Sequence, residues 1–179
     1  MAHRSRSTTS RRMVVMLDED VHLRPYDPRC PQWFATEAAR LADTLPPRTA
    51  IEHIGSTSVP GMLAKPVIDL MVIGPVVLVR NGLLSAGYED LGEAGVPGRC
   101  YFRRRGERDF NTHVIDCQNP LWKANIALRD YLRANTAARD EYAAAKTSAV
   151  AQGSGRLLAY SAAKSVVLER LLARALELR

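Results

Sequence analysis

The stretch Ile51-Glu52-His53-Ile54-Gly55-Ser56-Thr57-Ser58-Val59-Pro60-Gly61, followed by Lys65-Pro66-Val67-Ile68-Asp69-Leu70-Met71-Val72, decides the fold. A short strand over 50–54 runs into a Gly-Ser turn. Glycine lets the backbone turn closely. The N–H groups exposed by such a turn, with the Ser56 and Thr57 hydroxyls, can hold phosphate oxygens. Residues 67–73 then read as a nearly continuous apolar strand, of the kind covered on both faces. That strand carries one acid, Asp69. A carboxylate among Val67, Ile68, Leu70 and Val72 is costly to bury unless it faces a cation, a metal or a site. Lys65, just upstream, offers a cation.

Working outward, the front of the chain alternates helix and strand, and the back is helical. Residues 21–24 read as a short strand before the turn Pro25-Tyr26-Asp27-Pro28. Trp33, Phe34, Ala38, Leu41 and Leu45 form a helical apolar stripe over 31–45, stopped by Pro46-Pro47. Residues 76–86 read as a second helix that Gly87 caps. Residues 88–90, 99–105 and 110–116 read as further strands separated by Gly- and Pro-bearing turns. After Asn119-Pro120 come three helices, over 121–134, 136–151 and 157–178. Val167, Leu168, Leu171, Leu172, Ala175 and Leu176 form one stripe on the last, expected to pack on the sheet. The fold class is therefore α/β (α+β): a mixed sheet flanked by helices, with a helical C-terminal part.

A chain of 179 residues is long enough for one domain with its own core. Residues 1–20, rich in Arg and Ser at the start, read as a disordered basic lead-in, and 21–179 as one domain. Cys30, Cys100 and Cys117 are odd in number and widely spaced, so neither a disulfide framework nor a zinc knuckle fits. No apolar run is long enough to span a membrane, and the N-terminus lacks the apolar core of a secretory signal. A cytoplasmic location is expected. The net charge of +6 suits an acidic partner such as a nucleotide. Arg99, Arg103, Arg104, Arg105 and Arg108 concentrate part of it, although a solvated hairpin accounts for them equally well.

The strings His53–Gly61 and Lys65–Asp69 resemble the hallmark segment of the GrpB family. Further matches follow in order: Pro25-Tyr26-Asp27-Pro28 with Trp33, Gly92-Glu93-Ala94-Gly95-Val96-Pro97-Gly98-Arg99, Tyr101-Phe102-Arg103, His113-Val114, Leu128-Arg129-Asp130-Tyr131, Tyr142 with Lys146, and Tyr160 with Lys164. The resemblance covers roughly residues 21–175, and it implies a nucleotidyltransferase-like core. It supplies no reaction. Gly-Ser followed by an acidic strand is similar to the nucleotidyltransferase signature, in which acids hold metals that bridge a triphosphate. That implies Mg²⁺ (or another divalent metal) and a nucleoside triphosphate as cofactors.

Two departures bear on that expectation. The place of the usual second transferase acid is Met71, as is common in this family. Relatives carry a His-rich strand where this chain has Phe110-Asn111-Thr112-His113-Val114, so Asn111 stands in for one His. Strand parity puts Val67, Asp69 and Met71 on one face and Asn111 and His113 on one face of their strand. Asp69 and His113 are the expected metal ligands and, with Lys65, the expected catalytic residues. An imidazole can ligate a metal or move a proton near neutral pH. His53, Gly55, Ser56, Thr57, Arg103, Asn111, Arg129, Tyr160 and Lys164 are the expected phosphate or substrate contacts. Glu52 alternates away from His53 and reads as structural, and Asp116 falls on the wrong face.

Three functions remain in play. The preferred one is a metal-dependent nucleotidyl or phosphoryl transferase, or a nucleotide-activated ligase, acting on a small phosphate- or carboxylate-bearing metabolite. The second, motivated by Met71 and Asn111, is a binding module that keeps the pocket without catalysis. The third is a nucleic-acid partner. It ranks last because aromatics are 6% of the chain and no interleaved basic–aromatic motif is present.

Overall fold

The computed structural model describes residues 18–153 and 155–178. Helix α1 (Cys30–Ala42) opens with Pro31 in its first turn, where a missing N–H costs nothing. Strand β1 (Ala50–Ile54) leads through a 3₁₀ turn (Ser56–Ser58) to β2 (Val67–Ile73). Helix α2 (Val76–Ser85), β3 (Glu89–Asp90), β4 (Arg99–Arg104) and β5 (Asp109–Ile115) complete the front. Helices α3 (Leu121–Ala134), α4 (Thr136–Ala151), α5 (Leu157–Ala163) and α6 (Ser165–Glu177) form the back.

The strands form one mixed sheet in the order β1-β2-β5-β4-β3. The β2–β5 pair is parallel, and the others are antiparallel. One face carries Ile68, Leu70, Val72, Phe102, Phe110 and Val114, which pack with Leu41 of α1 and with Val79 and Leu83 of α2 in the main core. Gly82 lets α2 come close to the end of α1, since a Cβ there would meet the Thr44 carbonyl oxygen at 2.3 Å. The other face carries Ile54, Asp69, Met71, Asn111, His113 and Ile115. Ile54, Met71 and Ile115 are covered there by Leu121, Trp122 and Ile126 at the start of α3. That leaves the Asp69 end of the face to the site.

Several expectations are corrected. Residues 21–24 form no strand: Asp20 and Arg24 make isolated bridges to Arg156 and Ala64. Residues 157–178 are two helices, with Lys164 at the junction. The stripe on α6 packs on α3 and α4 rather than the sheet. Leu171, Val167 and Leu168 meet Val59, Met62, Leu132, Ala138 and Tyr142. The sharp α3–α4 corner explains this. Asn135 ends α3 and caps α4 by accepting a hydrogen bond from the Ala138 N–H at 3.0 Å, so the two helices turn into a separate helical layer.

The expected lead-in lies outside the described residues as far as residue 17. Its last three residues are built into the structure. Glu19 takes both oxygens of its carboxylate to Arg105, at 2.9 and 3.0 Å, and the Arg156 guanidinium reaches both Asp18 and Asp20. Among the described residues no helix is long and apolar enough to cross a membrane.

Candidate functional site

A cavity of about 440 Å³ lies between the Asp69 face of the sheet and the helical layer. The β2–β5 pair forms part of its lining. Asp69 stands opposite Asn111 in register, and Met71 opposite His113. The Asn111 amide donates to Asp69 Oδ1 at 2.8 Å, and His113 Nε2 lies 3.8 Å from the same oxygen. Tyr101, the register partner of His113 on β4, tilts against its ring at 5.2 Å. The Gly55-Ser56 turn lines another side. Gly55 has φ +70°, and a Cβ there would meet Asp69 Oδ2 at 2.5 Å, so only glycine lets the turn lie against the carboxylate. Tyr142, Tyr160 and Lys164 close the cavity from the helices.

The electrostatics of this cavity are cationic around one acid. Burial pushes the Asp69 carboxyl up. The facing His113, the Lys65 charge and the Asn111 hydrogen bond outweigh it and hold the group below the usual carboxylate value. Burial lowers both Lys65 and Lys164, and Asp69 opposes the shift in each. Burial also lowers Arg99, whose Nη1 faces His113 Nδ1 at 3.3 Å. Arg99 Nε is buried without a hydrogen-bond partner among the described residues. Burial, then Asp69, pushes the Tyr101 phenol up to about 12, so it is a neutral donor.

The sequence-derived residues divide. Asp69, His113, Lys65, Gly55, Ser56, Asn111, Tyr160 and Lys164 all line the cavity. His53 and Thr57 do not. His53 pairs with Leu70 in register and so points to the helix-covered face. There it stacks on Phe34 at 4.7 Å and lies 3.2 Å from the Thr57 hydroxyl, and burial pushes its pKa down to about 4. The parity choice at the turn is therefore reversed: Glu52, opposite Met71, shares the Asp69 face. Arg129 is held by Glu52 at 2.8 Å, Asp130 at 2.9 Å and the His53 carbonyl at 3.1 Å. It lies beside a smaller pocket next to the Gly-Ser turn. Arg103 shares the site face but bonds to Glu89 at 2.9 Å. Of the rest of the arginine cluster, Arg104 bonds to Glu37 and Arg105 to Glu19 and Asn111, which removes the picture of a free basic hairpin.

Sequence reasoning gave Arg99, Tyr101, Tyr142 and Lys146 no place in the site, although each falls in a segment that resembles the family. Parity was the available signal for the first two, since they lie on the same face of β4 as Arg103. Lys146 is 1% exposed, with its Nζ 2.6 Å from Ser56 Oγ and 2.6 Å from the Leu63 carbonyl oxygen. Its contact with Ser56 spans the fold and leaves no local trace.

The donor set does not suit Mg²⁺. That ion wants several oxygen ligands, usually more than one of them anionic. Here one carboxylate is already shared with Asn111, His113 and a facing lysine, and Met71 is packed with Ile54 and Ile115. No group of three or more His, Cys, Asp or Glu among the described residues is placed to hold a metal.

Comparison with known proteins agrees with the fold. The family described as GrpB protein matches residues 20–174. YqkA of Bacillus subtilis is 37% identical over 133 residues, which is 71% of this chain, but the chain spans only 39% of YqkA. The crystal structure of conserved protein GrpB from Enterococcus faecalis is 32% identical, with a TM-score of 0.76 over 87% of this chain and 98% of that one. A more distant likeness is to Cid1 in complex with the UTP analog UMPNPP, at 14% identity and a TM-score of 0.41 over 80% of this chain and 46% of that one.

Proposed function

The chain belongs to the GrpB family, and from that premise we propose that it is a cytoplasmic small-molecule enzyme that transfers a phosphoryl or nucleotidyl group in the cavity above Asp69. The substrate carries a phosphate or carboxylate, and a nucleoside triphosphate is the donor to screen first. The observation that carries this reading is the convergence of Lys65, Lys164 and Arg99 on a cavity that holds one carboxylate. Three buried cations outnumber the acids beside them, Asp69 and, 4.0 Å from Lys65, Glu19, and so favour an anionic guest, because each added negative charge relieves their repulsion. The same lysines would offset charge that develops on a transferred group. His113, between Asp69 and Arg99, is placed to move a proton.

Packing of Met71 against Ile54 and Ile115 favours one second reading, a binding module without turnover. The test is a thermal-shift and turnover panel with inorganic pyrophosphate and the common nucleoside triphosphates, each with and without Mg²⁺. Stabilisation that does not need Mg²⁺ and is lost in Lys164→Met supports the anion site. Product formation decides for the enzyme, and binding without product for the module. If none of these anions raises the melting temperature, the anion reading is wrong.

A further inference from the structure

Lys146 projects from α4 into the protein, and no carboxylate among the described residues pairs with it. A buried ammonium without a counter-ion is unfavourable. Its charged and titratable neighbours are Lys164, Asp69 and Tyr142, whose ring lies 4.3 Å from Nζ. Burial, and then the like charge of Lys164, pushes the group down to about 7, far enough to bring the free amine within reach near neutral pH. A free amine has N–H donors and one lone pair. The Leu63 carbonyl can only accept, so it takes an N–H at 2.6 Å. Ser56 Oγ, 2.6 Å away, accepts a second N–H from Nζ; once the amine is free its lone pair faces the same oxygen, and the bond reverses when the Ser56 hydroxyl turns its proton to it. Ser56 itself lines the cavity beside Lys65 and Lys164. Nucleophile, base and a group that orients the base are thus in hydrogen-bonded sequence.

We propose that Ser56 is a nucleophile, activated by Lys146 with the Leu63 carbonyl holding the amine, and that it accepts a phosphoryl group from a phosphoanhydride or acyl phosphate. This deepens the reading of the cavity as an anion site and rests on it. In the first half, the Ser56 oxygen bonds to phosphorus as the anhydride P–O bond breaks. The hydroxyl proton passes to Lys146, and the leaving phosphate or carboxylate departs as an anion beside Lys65 and Lys164. In the second half, an acceptor hydroxyl or water attacks the phosphorus and gives its proton to His113. The Ser56–phosphorus bond breaks, and the serine oxygen recovers its proton from Lys146. The leaving group needs no proton, which selects anhydrides over simple phosphate esters.

The test is to incubate the whole chain with acetyl phosphate over a range of pH and locate any phosphoserine by peptide mass spectrometry. Phosphorylation at Ser56 is expected, with a rate that rises as pH passes about 7. It should be absent in Ser56→Ala and about 100-fold slower in Lys146→Met, which keeps the side chain's length and removes the base. Melting curves establish that both variants are folded. No phosphoserine at Ser56 in the wild-type chain, or a wild-type rate in folded Lys146→Met, would overturn the proposal. Inorganic pyrophosphate run alongside separates the two levels. Stabilisation by pyrophosphate without phosphoserine leaves the anion site standing and makes Lys146 a clamp for the turn, whereas neither response removes both.

Discussion

Asn111 donates its side-chain amide to Asp69 Oδ1 at 2.8 Å, directly across two parallel strands. The amide fixes the carboxylate without adding charge. Asn111→Ala should raise the Asp69 pKa by removing one of the groups that hold it down. A carboxyl depressed in the fold contributes stability that is lost as pH falls through its folded value. The acid-driven loss of stability from this group should therefore be smaller in Asn111→Ala and complete at higher pH. The loss at neutral pH should be about 1–3 kcal/mol, the scale of a hydrogen bond to a charged group. Urea unfolding across the acid range measures both.

Lys146 carries the opposite consequence. Burial, and then the charge of Lys164, pushes its ammonium down to about 7 from the ordinary lysine value near 10.5. Between those values the unfolded chain holds more protons, so stability rises with pH. The penalty is full below about 7 and is relieved above it. Lys146→Met should remove this slope, leaving the variant more stable relative to wild type at neutral than at alkaline pH. The difference should be roughly 2 kcal/mol over two pH units. Parallel unfolding curves for the two proteins at the two pH values would show it. Equal slopes would mean that Lys146 is charged in the fold.

Gly55→Ala should damage stability and site together. The residue has φ +70°, and its Cβ would press on Asp69 Oδ2. With ψ at −172° this is backbone that residues other than glycine scarcely adopt, at a cost of about 1–3 kcal/mol. Displacement of the turn or the carboxylate should also abolish stabilisation by pyrophosphate. A variant that melts and responds like wild type would mean that the turn is freer than its contacts indicate.

Glu37 gives a control on the far face of the sheet. It is buried, bonds to Arg40 at 2.6 Å and Arg104 at 2.8 Å, and accepts from the Tyr88 hydroxyl at 2.7 Å. Burial pushes its pKa up, but Arg40, Tyr88 and Arg104 hold it below the usual value. Glu37→Ala strands these partners and should cost roughly 3 kcal/mol, the scale of breaking a buried pair. Any pyrophosphate response seen in wild type should persist below the lowered melting temperature. Loss of that response would mean that the two faces are coupled.

The strands, the Gly-Ser turn and the Asp69 face were legible because they are local. Apolar alternation, a glycine before a serine and one acid in an apolar strand announce themselves within a few residues. Register parity along β2 and β5 correctly places Asp69 with Asn111 and His113. The same reasoning failed at His53. Parity tells which residues share a face but not which face a neighbouring strand turns to the site, and β1 pairs so that Glu52 and Ile54, not His53, face the Asp69 side.

The amino-acid sequence by itself determined the family and most of the elements between residues 30 and 151, because backbone preference and hydrophobic period act over short spans. Only the tertiary structure decided which charges meet. The break at Lys164 turns that residue into the cavity. The corner at Asn135 stacks the last helix on its neighbours instead of the sheet. Lys146 reaches Ser56 across 90 positions of chain. Burial and proximity set the protonation of such groups, and both are properties of the folded arrangement rather than of any segment.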